Sequence, residues 1–288
     1  MMEHDKPMKN KSYPPFSVLM SVYKNEKAQY LDASLKSIEN QTIVPDEIIL
    51  VEDGPLTKEL YEIIDTHRIK FGEGFKVVVL NKNQGLGNAL RIGTKYISTN
   101  WIARMDTDDI AVPNRFELQL REIEKNPQLA VIGGQVDEFE GSIDNIVGKR
   151  TVPCSQVDIY KFIKWRSPFN HPTVLINRAL LEKVGGYKYY GKLEDYYLWS
   201  RIISSKYCVK NIDKVVVHMR VDSGMYKRRG DFNDIKYIIK LKKFLKNRGV
   251  ITGYEEIEGI GIMIINNIIP SWVRKVIYRK ALHNVGRK

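Results

Sequence analysis

Three carboxylates, Asp106, Asp108 and Asp109, close an apolar stretch that runs from Trp101 to Met105. Asp106 and Asp108 are two residues apart, and on extended backbone side chains at that spacing point to the same side. No lysine stands next to them to neutralise the pair. Such carboxylates suit a hard divalent cation, and Mg²⁺ or Mn²⁺ held by one or two of them fills its shell with phosphate and water. The expected chemistry is that of a nucleotide diphosphate substrate. The competing reading is structural, because acidic clusters after a strand also cap the next helix or solvate a loop.

The segments before the cluster must position it. Phe16 to Tyr23 reads as a buried strand, and Leu31, Leu35 and Ile38 share one face of a helix predicted over 28–40. A strand predicted over 47–54 ends in an acidic turn. A helix over 57–71, a strand over 76–80, a glycine-rich turn with a helix over 85–98 and a strand over 101–105 follow. This alternation predicts βαβ units and a parallel sheet covered on both faces. In such sheets ligands bind beyond the carboxyl ends of the strands. Tyr23, Glu26, Asp53, Asn83 and the three aspartates all follow strand ends, so one crevice would gather them. Gly85 and Gly87 would let backbone approach a ligand, although a lone GxG equally marks a tight helix start. Downstream the pattern predicts a helix over 113–125, a strand over 129–139, loops from Gly141 onward, helices over 178–184 and 194–204, an extended segment over 208–221 and a basic helix over 231–247.

A chain of 288 residues suits one large domain or two modest ones, and 43% hydrophobic with 28% charged residues is the composition of an ordinary globular protein. Residues 1–15 are polar with no apolar core, so neither a secretory signal nor a leading span is read, disorder is expected there, and the chain is expected in the cytoplasm. Cys154 and Cys208 have no CxxC partner, so neither a disulfide framework nor a zinc site is expected. From Lys214 to Lys288 there are 17 Lys/Arg against 6 Asp/Glu, which is eleven of the net +12. Such a tail points to nucleic acid, an anionic membrane surface or solvated helix faces. No recognised nucleic-acid-binding motif accompanies it, and no nucleic acid is expected as a partner.

Five motifs stand in order: Ser-Val-Tyr-Lys-Asn-Glu at 21–26, Val-Glu-Asp-Gly at 51–54, Asn-Gln-Gly-Leu-Gly-Asn-Ala-Leu at 83–90, Arg-Met-Asp-Thr-Asp-Asp at 104–109 and Glu-Asp-Tyr-Tyr-Leu-Trp at 194–199. With them the chain resembles the inverting family 2 glycosyltransferases of the bacterial surface-polysaccharide type, over residues 16–230. The resemblance implies the α/β GT-A fold, a Rossmann-like, mostly parallel sheet with helices on both faces, followed by a helical extension over 231–288. It implies metal-dependent transfer of a hexose or N-acetylhexosamine from a UDP-sugar to a saccharide or lipid-linked saccharide, the lipid being a polyprenyl diphosphate.

The same resemblance gives residues their tasks. Tyr23 would stack on the uracil and Asp53 accept the base N–H, with Val22, Glu26, Asn83, Gly85, Arg104 and Thr107 also lining the donor. Structurally, Tyr23 could equally pack at the sheet edge and Asp53 form an Asx turn with Gly54. Asp106 and Asp108 form the DxD that holds Mn²⁺ or Mg²⁺, a Lewis acid for the departing UDP, and Asp109 is read as a helix N-terminal partner. Asp195 is the base that activates the acceptor hydroxyl, the structural alternative being a carboxylate favouring a helix N-terminus. Glu194, Trp165, Asn170 and His171 fall on the acceptor side, while Trp199 reads as core. Asp222 stands where many relatives carry a metal-binding histidine, which leaves a third protein ligand open; His218 is off phase. Arg228 and Arg229 could close over the diphosphate as a cationic clamp.

The apolar run from Ile260 to Ile269 is too short to span a bilayer and is broken by Asn266 and Asn267. An amphipathic helix on an anionic membrane, with Trp272 at the interface, explains both its faces and would make the protein peripheral on the inner side of the plasma membrane. A helix packed on the protein's own surface is the alternative. A second function class is a phosphohydrolase using Asp106 and Asp108, but that fold puts its motif after the first strand, and three strands precede the motif here.

Overall fold

Strands rich in Val, Ile and Leu, buried on both faces, form the centre of the computed structural model, which describes residues 13–221 and 234–268. β1 (Phe16–Val22), β2 (Glu47–Glu52), β3 (Phe75–Val79) and β4 (Trp101–Arg104) pair in parallel in the order β3-β2-β1-β4. The sheet continues through β8 (Leu175–Asn177), antiparallel to both β4 and β6 (Leu129–Phe139). β9 (Cys208–Arg220) then runs parallel to β6 and ends the sheet against the two-residue β5 (Ile110–Ala111). β7 (Ile146–Arg150) pairs with the C-terminal half of β6.

Alternation along β1 builds two cores. Val18, Met20 and Val22 pack with Leu31, Leu35 and Ile38 of α1 (Ala28–Glu39), Leu60 and Ile64 of α2 (Lys58–Phe71), and Phe116, Leu120 and Ile123 of α4 (Arg115–Lys125). Leu19 faces the opposite core, with Ala89 and Leu90 of α3 (Leu86–Gly93), Ile159 of α5 (Gln156–Phe162), Leu181 of α6 (Arg178–Lys183), and Leu198, Trp199 and Ile202 of α7 (Glu194–Ser204). The predicted layering of helices on both faces is present.

The loop expected after Gly141 holds two elements that the pattern hides. β7 is largely exposed, so it carries no apolar alternation, and α5 is only 7 residues long. Its cap is visible afterwards: Ser155 Oγ accepts the Asp158 N–H at 3.1 Å. The helix expected to Ser98 stops at Gly93 and tightens into a 3₁₀ turn, Thr94–Tyr96. The basic stretch forms α8 (Ile235–Asn247), whose Leu241 joins the second core, and α9 (Gly253–Ile268) packs on it, starting seven residues before the isoleucine run. Lys242 of α8 is buried; its Nζ donates to the Lys164 carbonyl and to Tyr196 Oη at 3.3 Å, tying the extension to α7. Among the described residues no helix is long and apolar enough to cross a membrane.

Candidate active site

β4 delivers the acidic cluster. Met105 turns into the core, and a carboxylate oxygen from each of Asp106, Asp108 and Asp109 lies within 4.8 Å of the others. The turn is braced on every side. Ser34 Oγ of α1 donates to the Asp106 carbonyl at 2.9 Å, and Thr107 Oγ1 donates to Glu26 Oε2 at 2.8 Å. The Arg220 N–H donates to Asp109 Oδ1 at 2.9 Å and its Nε to the Asp108 carbonyl at 3.1 Å, while its guanidinium lies over Tyr30 and Phe139. Buried Arg115 donates through Nη2 to the Arg104 carbonyl at 2.8 Å. Asp109 is thus not a helix N-terminal partner: α4 begins only at Arg115, and Asp109 is buried, anchoring the end of β9.

Burial, Asp106 and Glu26 push the Asp108 carboxyl up to about 7, and burial with Asp108 and Asp106 raises Asp109 well above the usual range. Asp109 Oδ2 is buried without a hydrogen-bond partner among the described residues. An all-oxygen set in which like charges oppose ionisation fits a hard divalent cation, which would relieve that repulsion. Arg104, itself buried, pairs with Asp106 and leaves Nε and Nη1 without hydrogen-bond partners among the described residues.

The neighbouring strand ends form a crevice floor. The Tyr23 ring is 41% exposed, free to present a face. The Val22 carbonyl accepts the Asp53 N–H at 2.8 Å. Asp53, expected to meet a base, is buried, and its oxygens accept backbone amides: Oδ1 accepts Gln84 N–H at 2.6 Å and Oδ2 accepts Gly85 N–H at 2.9 Å. Asn83 Nδ2 donates to the Asp53 carbonyl at 3.2 Å. Asp53 therefore pins the glycine-rich turn rather than making an Asx turn with Gly54. Gly54 has φ +89°, and a Cβ there would stand 2.7 Å from Asn83 N, so the two turns interlock only around glycine.

α7 opens opposite. A Cβ on Gly87 would lie 3.3 Å from the Glu194 Cβ, so the starts of α3 and α7 face each other. The Arg104 guanidinium favours the ionised form of Asp108 and Asp109 and equally of Glu194 and Asp195, which puts it within electrostatic reach of both groups. Burial and Asp195 push Glu194 up to about 7, and Glu194 Oε2 has no hydrogen-bond partner among the described residues. Burial raises Asp195 as well, against a hydrogen bond from Ser167 Oγ at 3.3 Å. Carboxylates whose burial opposes ionisation suit proton transfer.

The acceptor-side expectations divide. Trp165 is half-buried. His171 hydrogen-bonds Tyr187 Oη through Nε2 at 3.1 Å, and burial with Arg104 holds its pKa well below normal, so it stays neutral. Asn170 is buried, with Nδ2 donating to the Gly134 and Arg150 carbonyls at 3.1 and 3.2 Å, so its amide nitrogen holds backbone. Trp199 is core, against Phe169 and His171. Ser34, Arg115, Ser167 and Tyr187 support the site without any sequence signal, each working through a partner distant in the chain. Asp222, Arg228, Arg229 and Trp272 lie outside the described residues.

The family model "Glycosyl transferase family 2" matches residues 17–185. An uncharacterized glycosyltransferase of Haemophilus influenzae is 37% identical over 93% of this chain and 98% of its own length. An Escherichia coli protein named UDP-Gal:alpha-D-GlcNAc-diphosphoundecaprenol beta-1,3-galactosyltransferase is 35% identical over 93% and 97%. Among solved structures, S. aureus TarS 1–349 in complex with UDP-GlcNAc superposes with a TM-score of 0.66 at 18% identity, covering 88% of this chain and 72% of that one, a likeness of fold that identifies the architecture as GT-A. None of these matches supports a phosphohydrolase. The motifs, the sheet that carries them and relatives aligned along nearly the whole length lead to one assignment: the chain belongs to glycosyltransferase family 2.

Proposed function

We propose that this glycosyltransferase moves a hexose or N-acetylhexosamine, with inversion, from a UDP-sugar to a saccharide carried on a polyprenyl diphosphate. The observation that carries the reading is that buried Arg104 lies within electrostatic reach of two acidic groups, Asp106/Asp108/Asp109 after β4 and Glu194/Asp195 at the start of α7. Asp106 and Asp108 would hold Mn²⁺ or Mg²⁺, which when bound offsets charge on the departing diphosphate. Tyr23 offers its exposed face to the uracil. Asp195 accepts the acceptor hydroxyl's proton as that oxygen bonds to the anomeric carbon, the bond to the diphosphate breaks, and UDP leaves with the electron pair. Attack opposite the leaving group inverts the anomeric centre. A uridine donor and a lipid diphosphate acceptor are supported by the Escherichia coli relative, a UDP-Gal:alpha-D-GlcNAc-diphosphoundecaprenol beta-1,3-galactosyltransferase.

The test is a panel of nucleotide sugars incubated with purified protein, Mn²⁺ and N-acetylglucosaminyl diphosphate on a short alkyl chain. UDP release stimulated by the acceptor, with a β-linked product from an α-linked donor, supports the reading. Release of phosphate from simple phosphoesters, or retention of the anomeric configuration, contradicts it.

A further inference from the structure

Beside Glu194 stands a group of tyrosines that the reaction above does not use. Tyr189 and Tyr190 precede α7, Tyr197 lies in its first turn and Tyr237 comes from α8. The Tyr190 ring stacks on Tyr197, centroids 4.0 Å apart and planes at 19°, and Tyr237 meets Tyr190 at 5.3 Å and Tyr189 edge-on at 6.0 Å. Phe244 backs Tyr197 at 5.4 Å. The outer ring, Tyr189, is 59% exposed and the other three tyrosines are half-buried.

This wall is held in place. Gly191 has φ +64°, and a Cβ there would lie 2.6 Å from Tyr237, so only glycine lets the loop rest on α8. Lys192 pairs with buried Asp234 at 3.7 Å, and Asp234 in turn contributes to the raised pKa of Glu194. The Leu193 N–H bonds the Tyr190 carbonyl at 3.2 Å and the Tyr197 N–H bonds the Leu193 carbonyl at 2.8 Å, which keeps the rings within one helical turn of Glu194 and Asp195.

We propose that Tyr189, Tyr190, Tyr197 and Tyr237 form a platform for the saccharide of the acceptor, one pyranose ring stacking on the exposed Tyr189 face. The proposal rests on the glycosyl-transfer reading and goes further by assigning the acceptor subsite. A pyranose has an apolar C–H face, and the flat face of a tyrosine ring matches it. Sugar rather than lipid is the occupant because the hydroxyl that reaches the carboxylates belongs to the sugar. A wall fixed before binding loses little conformational freedom when its ligand arrives.

Calorimetry on the full-length protein saturated with Mn²⁺ and UDP tests this, with decyl-diphospho-N-acetylglucosamine as probe and decyl diphosphate lacking the sugar as its control. Tyr189→Ala is expected to weaken the glycosylated probe about ten-fold, the worth of one aromatic stacking contact, while Tyr189→Phe stays near wild type and the sugar-free probe is unaffected by either. Equal weakening of both probes would assign the wall to the lipid or the diphosphate. Unchanged binding in Tyr189→Ala, or a wild type that takes up UDP but not the glycosylated probe, would also overturn the platform. Failure to bind UDP at all, or to release it in the donor panel, would instead strike the glycosyl-transfer reading, and the platform with it.

Discussion

At Asp108, burial and the charges of Asp106 and Glu26 work against ionisation, and the carboxyl sits near 7. A divalent cation and a proton then compete for the same oxygens. Affinity for Mn²⁺, read from the paramagnetic resonance of the free ion, is expected to fall about ten-fold per pH unit below 7. The linked effect on stability has a definite sign. A carboxyl with a raised folded-state pKa holds its proton in the native protein at pH values where the unfolded chain has released it. The metal-free protein therefore loses stability as pH rises from the ordinary carboxylate range through 7. Added Mn²⁺ should raise the melting temperature more at pH 8 than at pH 5. Asp195 carries a different prediction. Asp195→Asn removes the proton acceptor with little change in shape, so turnover with acceptor should drop by about 10²- to 10⁴-fold, while calorimetric affinity for UDP with Mn²⁺ is retained. A variant that turns over as fast as wild type would remove Asp195 from its role.

Among the elements, long periodic segments could be read from sequence to within a residue or two: β6 and α7 occur over the residues expected, and α1 ends one residue early. β7 and α5 were hidden because an exposed edge strand has no apolar alternation and a 7-residue helix has too few turns to reveal a face. Asp53 shows a different limit. A carboxylate after a strand and before glycine announces a polar contact, but its partners, the amides of Gln84 and Gly85, are set by the register of β2 on β3. The interlocked turns make Gly54→Ala a test at this scale. Left-handed strain and the clash with Asn83 should destabilise the protein by about 1–3 kcal/mol, read by urea unfolding. UDP affinity should fall alongside, because the same turn shapes the crevice. Loss of stability with intact UDP binding would separate the turn from the donor site.

In the whole molecule the net charge is concentrated toward the C-terminus, and sequence sufficed to see it. It did not reveal how the extension is fastened, because the seat of Lys242 between Tyr196 and the Lys164 carbonyl depends on tertiary packing. α9 exposes Tyr254, Ile257, Ile262 and Ile265, and α8 exposes Lys236, Lys240 and Lys243. We propose an anionic lipid surface as the occupant, since exposed apolar side chains on α9 and exposed lysines on the helix it packs against suit acyl chains beneath negative headgroups. The double variant Ile262→Glu, Ile265→Glu should sediment less with phosphatidylglycerol vesicles, and wild-type binding should weaken with salt and vanish on phosphatidylcholine. Equal sedimentation of variant and wild type would show that this face is covered by something else. The central claim, a cation on the aspartates after β4 with the α7 carboxylates across the cleft, is tested most directly by anomalous diffraction at the manganese edge from crystals grown with Mn²⁺ and UDP. The account predicts a single peak coordinated by Asp108, directly or through water by Asp106, and by the diphosphate, with open space between it and Asp195. A peak elsewhere, or UDP bound away from this cluster, would contradict it.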